Sequence, residues 1–64
     1  MNDNEYPQIP LGLGMALSQH SGALNRYAAL GAEKQREIIS FIRSSQSGEQ
    51  AKERINQTVD SLKA

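Results

Sequence analysis

The sequence contains no cysteine and no tryptophan, and its aromatic residues are two tyrosines and one phenylalanine. Without cysteine, the chain has no disulfide framework, no thiol nucleophile and no cysteine-ligated metal site. It also has no excess of either charge, because seven lysines and arginines balance seven aspartates and glutamates. A neutral chain has no strong electrostatic attraction to nucleic acid or to an anionic membrane. These absences exclude whole classes of chemistry and leave the redox compartment unmarked.

No apolar run approaches the ~20 residues that cross a bilayer, so the sequence predicts no membrane span. The first ten residues contain two acidic residues and no basic one, which is not the pattern of a secretory signal peptide. We therefore expect a cytoplasmic protein. At 64 residues, the chain has room for one small domain, which must pack efficiently or be helped by a partner.

The spacing of apolar residues predicts short helices and no strand, so the expected fold class is all-α. Residues 1–9 are expected to form a flexible or extended lead-in, and residues 10–64 a single bundle of three to four short helices. The predicted helices cover residues 11–19, 22–30 and 32–45, and a fourth segment that ends near residue 63.

Two of these helices have recognisable starts. Pro10 suits the first turn of a helix, where a missing N–H costs nothing. Ser47 followed by Gln50 is the signature of a capping box. The first helix contains Gly12 and Gly14, each of which costs about 0.8–1 kcal/mol relative to alanine, so packing must hold this helix in place.

The second helix is expected to begin with Ser21 as its N-cap residue and to bury Leu24, Tyr27 and Ala28 on one face. Gly31 follows as either the residue that ends this helix or the cap of the next one, and the sequence leaves both alternatives open.

The third helix is predicted to be the central one. Its apolar residues, Ile38, Ile39, Phe41 and Ile42, cover an arc of roughly 160°, which is more than one neighbour needs. The fourth helix has a narrower stripe of roughly 100° and is expected to lie on the outside. That stripe consists of Ala51, Ile55, Thr58, Val59 and Leu62.

Apolar and charged residues follow one another in a characteristic order over most of the chain. It comprises Ile9-Pro10, Leu13, Ala16-Leu17, Ala23, Tyr27, Leu30, the charged segment 33–38, Ile42, Lys52, Arg54-Ile55, Val59 and Leu62. This order resembles the helical domain of the YdeI/OmpD-associated family, a bacterial family linked by name to bacteriocin protection. The resemblance implies a compact helical domain of the kind that family members carry at the C-terminus, with no catalytic residue to transfer. The family name suggests a role in envelope stress or association with a porin.

The sequence offers little for catalysis. His20 is the only histidine, and the nearby Ser18 and Ser21 lie at a helix end, where serines are expected as caps. Two pairs of glutamates, spaced four apart, have lysine and arginine beside them, as on a solvated helix face rather than in a metal site. The pairs are Glu33 with Glu37 and Glu49 with Glu53. We therefore predict no enzyme activity, no cofactor and no metal.

Nucleic-acid binding is the alternative function. Arg36 and Arg43, seven residues apart, share one edge of the third helix, and a short helix before a longer one resembles a helix-turn-helix. Lys52 and Arg54 would add to such a basic surface. The zero net charge disfavours this interpretation, because a basic footprint is its first requirement.

The first helix carries apolar residues on both sides. Leu13, Ala16 and Leu17 form one side, whereas Leu11 and Met15 lie at least about 160° away from Leu17. A small peripheral helix should not be apolar all round.

Two explanations fit this pattern. In the favoured one, the lead-in folds over Leu11 and Met15 through Tyr6 or Ile9, since exposed apolar residues are common and need no function. In the other, the pair contacts a protein partner or a second copy of the chain.

The leading functional hypothesis follows from the second explanation. It is a non-enzymatic protein-interaction module with Leu11, Met15 and Tyr6 as apolar anchors and with Arg36 or Arg43 at a polar rim.

Overall fold

The computed structural model describes residues 8–63, which fold into four helices. The helices are α1 (Leu11–Ser18), α2 (Ser21–Ala29), α3 (Ala32–Arg43) and α4 (Gly48–Lys63), joined by short connections. No strand occurs between residues 8 and 63, so the all-α fold class and the count of helices are confirmed. Most of the predicted lead-in, including Tyr6, lies outside the described residues.

Helix α1 begins directly after Pro10, whose carbonyl accepts the first helical hydrogen bond from the Gly14 N–H at 3.0 Å. Pro10 is therefore the N-cap rather than the first helical residue. A Cβ placed on Gly12 would lie 3.2 Å from Cδ1 of Ile55, which is tighter than ordinary van der Waals contact. Glycine at position 12 thus allows α1 to approach α4 closely, and Leu13 is fully buried on the same helix.

Helix α2 differs from its prediction in two respects. It begins one residue early, with His20 at the N-cap and Ser21 already helical, and His20 forms no side-chain cap hydrogen bond. Its buried residues are Ala23 and Tyr27, whereas Leu24 and Ala28 are exposed. The row that faces the core is the pair at i and i+4, Ala23 and Tyr27, so Leu24 is turned about 80° away from its centre.

The core is built from all four helices. Its buried cluster consists of Leu13, Leu17, Ala23, Tyr27, Ile42 and Val59. Helix α4 packs against each of the other three helices, although its stripe is narrow. Helix α3 buries Gln35, Ile39 and Ile42; the two isoleucines belong to its predicted stripe and Gln35 does not, and the broadest set of helix–helix contacts belongs to α4. No helix within residues 8–63 has the length and apolar character that a bilayer crossing requires.

The corner between α2 and α3 is held by a buried glutamine. Gln35 is 4% exposed, and its Nε2 donates to the carbonyl oxygens of Tyr27 at 2.9 Å and Leu30 at 3.2 Å. These carbonyls lie at the end of α2, where the Tyr27 carbonyl also accepts from the Leu30 N–H at 3.1 Å. Gly31 is the N-cap of α3 in extended conformation, which resolves the alternatives that the sequence left open.

The connection between α3 and α4 contains the predicted capping box. The Gln50 N–H donates to Oγ of Ser47 at 3.1 Å, which confirms the cap. The return bond reaches one residue further back, because Oε1 of Gln50 accepts from the Gln46 N–H at 2.7 Å rather than from Ser47.

Phe41 is 42% exposed, although the sequence predicts it to be part of the buried stripe of α3. The guanidinium of Arg54 lies 4.6 Å from the centre of its ring, and Nη1 of Arg54 donates to the Phe41 carbonyl at 2.6 Å and to Oγ of Ser44 at 2.9 Å. Phe41 is therefore at the edge of the α3–α4 contact, where an arginine covers one face of the ring.

Removing the Gln35 donor should destabilise the fold. We expect Gln35→Ala to lower the free energy of unfolding by about 1–3 kcal/mol, because the Leu30 carbonyl loses its side-chain donor and the Tyr27 carbonyl keeps only the Leu30 N–H. Gln35→Glu should cost at least as much, since it replaces the donor by an acceptor. Urea unfolding followed by circular dichroism measures both variants, with the exposed Gln57→Ala as the matched control. Equal stability of the Gln35 and Gln57 variants would contradict this role.

Tyr27 carries a buried polar atom that lacks a partner. The residue is 2% exposed, and its Oη has no hydrogen-bond partner within the described part of the chain. Burial also raises the pKa of the Tyr27 hydroxyl above its ordinary value of 10.0.

We expect Tyr27→Phe to leave stability unchanged near neutral pH or to raise it by about 1 kcal/mol, because it removes an unpaired buried hydroxyl. A raised folded-state pKa gives stability that is complete below pH ~10 and is lost as the pH rises further, because the unfolded tyrosine ionises first. The phenylalanine variant should therefore gain on the native chain above pH ~10. Urea titrations at pH 7 and pH 10.5 test this, and a large loss at pH 7 would reveal a hydrogen bond to Oη.

Candidate functional site

Helix α1 has one buried side and one exposed apolar side. Leu13 and Leu17 are fully buried, whereas Leu11 is 79% exposed and Met15 is 57% exposed. No residue of α1 is charged. We call Leu11 and Met15 the α1 patch, and the predicted division of the helix into a core side and an outer side is confirmed.

Covering of the α1 patch by the lead-in is not seen at Ile9. This side chain lies beside Gly14, where a Cβ would be 3.7 Å from Cγ2 of Ile9, and Leu11 and Met15 remain exposed. The other residue predicted to cover the patch, Tyr6, lies outside the described residues. Within residues 8–63, the α1 patch is thus an exposed apolar surface.

A groove of about 400 Å³ runs between α1 and α4, next to the α1 patch. Its lining is mainly apolar and consists of Gly12, Met15, Ala16 and Gln19 from α1 and Gly48, Ala51, Lys52, Ile55 and Asn56 from α4. We call it the α1–α4 groove. Four of the nine lining residues are glycine or alanine, and these small side chains leave space between the two helices. Met15 belongs to both the groove and the patch, which makes them one continuous surface.

The charges at this surface all come from α4. Glu49, Lys52 and Glu53 are exposed along its first turns, and together with Asn56 they line a shallow depression beside the groove. The surface therefore has an apolar floor and, on one side, a rim that contains both signs of charge. Such an arrangement suits apolar contacts at the centre and polar contacts at the edge.

Arg36 and Arg43, predicted for the polar rim, lie elsewhere. Both are exposed on α3, which packs against α4, whereas α1 packs against α2 and α4. Neither arginine lines the α1–α4 groove, and the rim is formed by Lys52 instead. Both lie on one exposed edge of α3, so nucleic-acid binding through them stays a prediction. Arg54, predicted to add to this basic surface, has its guanidinium hydrogen-bonded to the end of α3.

Sequence reasoning missed the α4 side of the groove. The sequence predicts Ala51 and Ile55 for a buried stripe, and it does not connect Lys52 with the apolar residues of α1. The available signal was the presence of small residues, Gly12 and Ala16 on one helix and Ala51 on another. Their consequence becomes visible only when the two helices are known to be neighbours.

The described residues contain few groups that are suited to catalysis or to metal binding. His20 is exposed at the N-cap of α2. Between residues 8 and 63, no group of three or more histidine, aspartate or glutamate residues is arranged to hold a metal ion. Of the predicted glutamate pairs, Glu37 lies 3.9 Å from Nζ of Lys34, which is an exposed ion pair on one face of α3. The apolar surface of α1 and α4 is therefore the candidate site.

Substitutions in the α1 patch should spare the fold. We expect Leu11→Ser and Met15→Lys to change the free energy of unfolding by less than about 0.5 kcal/mol, because both side chains are solvent-exposed. The matched core variant Leu13→Ala should cost about 2–5 kcal/mol. Urea unfolding at a low protein concentration measures all three, and a large loss with Met15→Lys would place Met15 in the core instead.

The chain was also compared with known proteins. Neither family models, nor curated proteins, nor solved structures provide a match to it. The resemblance to the YdeI/OmpD-associated family accordingly stays a prediction, and the function must be argued from the surface itself.

Proposed function

We propose that this chain is a small, non-enzymatic protein-interaction module whose binding surface is the α1 patch together with the α1–α4 groove. The observation that carries the proposal is the exposure of Leu11 and Met15 at the edge of an apolar groove of about 400 Å³. Exposed apolar side chains that adjoin an apolar groove are typical of protein-binding surfaces.

The binding mechanism is burial of this apolar surface. Removing apolar area from water contributes roughly 25 cal/mol per Å², so two large side chains and a groove floor supply a modest driving force. Met15 is suited to the rim because its flexible thioether adapts to different neighbours. Lys52, at the opposite side of the groove, adds a polar contact that fixes orientation. The expected complex is therefore weak or transient.

The partner that fits this surface is a protein segment with one apolar face. A groove between two helices accepts an amphipathic helix, whose anchors at i, i+3 or i+4 enter the floor. A bacterial origin, a cytoplasmic location and membership of the YdeI/OmpD-associated family belong to the same proposal. The support for that family is that the residues carrying the resemblance are largely those of the core, among them Leu13, Tyr27 and Val59.

Site-specific photo-crosslinking in the cells that encode the protein tests the proposal. A photoreactive phenylalanine analogue at Gln19, an exposed residue in the groove lining, should give an intermolecular product that mass spectrometry identifies. The same analogue at Ser40, which is exposed on α3, is the matched control. The product should disappear when Met15→Lys is added, because the anchor is lost.

The absence of an intermolecular product at Gln19 above the level seen at Ser40 would contradict the interaction function. A product that persists unchanged in Met15→Lys would contradict the role of the α1 patch.

A further inference from the structure

We propose that the occupant of the α1–α4 groove is a second copy of this chain, in a two-fold symmetric dimer in which Met15 of each copy enters the groove of the other. This inference rests on the proposed function and names its partner. It follows from three features of the surface: its shape, its charges and the size of the core behind it.

The shape of the surface is self-complementary. A two-fold dimer brings the same patch of both copies together, so a projection and a recess must lie side by side on one surface. Met15 and Leu11 form the projection, and the α1–α4 groove, which Met15 adjoins, forms the recess. One rotation therefore inserts both projections at once. A groove of about 400 Å³ has room for them, since pockets that hold whole small molecules begin at about 300 Å³.

The charges of the surface also match a second copy. Helix α1 has no charged residue, so two copies of α1 meet without electrostatic repulsion. The rim on α4 contains Glu49, Lys52 and Glu53, and a row with both signs can pair with its own reversed image. A rim of one sign would repel itself. The whole chain has zero net charge, which removes long-range repulsion between copies as well.

The core of the single chain is thin. Its fully buried large side chains in the described residues are Tyr27, Leu13 and Leu17. Small domains bury a low fraction of their surface, and association with a second copy adds apolar burial to the folded state. The two sides of α1 then have one purpose each, since Leu13 and Leu17 pack within the chain and Leu11 and Met15 pack between chains.

Sedimentation equilibrium of the purified full chain over a wide concentration range tests this inference. A monomer–dimer equilibrium with a dissociation constant on the order of 100 µM is expected for a patch of this size. Met15→Lys should weaken association by roughly thirtyfold or more, because it places a charge in the apolar centre of the interface. A monomer at every concentration up to about 2 mM would overturn the inference.

Charge variants of the rim give a second, independent readout. Lys52→Glu leaves the rim wholly acidic and should weaken the dimer about tenfold at low salt, with less effect at high salt. Lys34→Glu makes the same charge change on an exposed part of α3 and should leave the dimer unchanged. An equimolar mixture of Lys52→Glu with the doubly basic variant Glu49→Lys/Glu53→Lys should associate more tightly than either variant alone. Equal association of the mixture and its components would contradict the two-fold geometry.

The crosslink from Gln19 separates this inference from the proposed function. A product that contains two copies of this chain supports both. A product with a different protein keeps the interaction function and overturns the second copy as the occupant. A crosslink confined to the same chain, within residues 1–7, overturns the dimer and identifies the lead-in as the occupant.

Discussion

Each of the last three helices ends with a carbonyl group that accepts a hydrogen bond from the side chain of another helix. Gln35 on α3 donates to the end of α2, Arg54 on α4 donates to the end of α3, and Arg26 on α2 donates to the Leu62 carbonyl at the end of α4, at 3.0 Å. The three bonds form a closed cycle through α2, α3 and α4. The last carbonyls of a helix need donors from beyond its regular hydrogen bonds, so this cycle both contributes such donors and links the three helices to one another.

The cycle occurs in helices that do not end with a left-handed residue. Helices frequently stop at a residue in the left-handed conformation, usually glycine, which lets nearby backbone N–H groups reach the last carbonyls. In residues 8–63 no residue has a positive φ, and Gly31 is extended. Side-chain donors from distant parts of the chain add to the backbone N–H groups of Leu30 and Ser44, which also bond to carbonyls of the last turns, and Gln35 does so in the core. The helices thus depend on tertiary contacts for their ends as well as for their apolar faces.

Features that depend on residues close together in the sequence could be predicted from the sequence. The spacing of apolar residues predicted four helices, and the division of α1 between Leu13 and Leu11 followed from helical geometry alone. The Ser47 cap was also predictable, because both of its partners lie within one turn. The errors at Ser21 and Leu24 are local too, since a shift of one position rotates the assigned face by about 100°.

Long-range features could not be derived in the same way. The donors Gln35 and Arg54 are ordinary polar residues on their own helices, and their function depends on which helix end lies opposite. The candidate site also has one feature that could be predicted from nearby residues and one that depends on distant residues. Leu11 and Met15 stood out in the sequence as apolar residues on the wrong side of a helix. The groove beside them requires Ala51 and Gly12 to face each other, which no pattern within one helix indicates.

Gly12 affects both the packing of α1 against α4 and the stability of α1 itself. It allows α1 to approach α4, yet glycine weakens a helix by about 1 kcal/mol relative to alanine, and Gly14 adds to that weakness. Of the four helices, α1 is also the shortest, and no donor of the cycle belongs to it. Local unfolding should therefore begin with α1. An unfolded α1 segment would expose Leu13 and Leu17 beside Leu11 and Met15, with no charged residue among them to oppose aggregation.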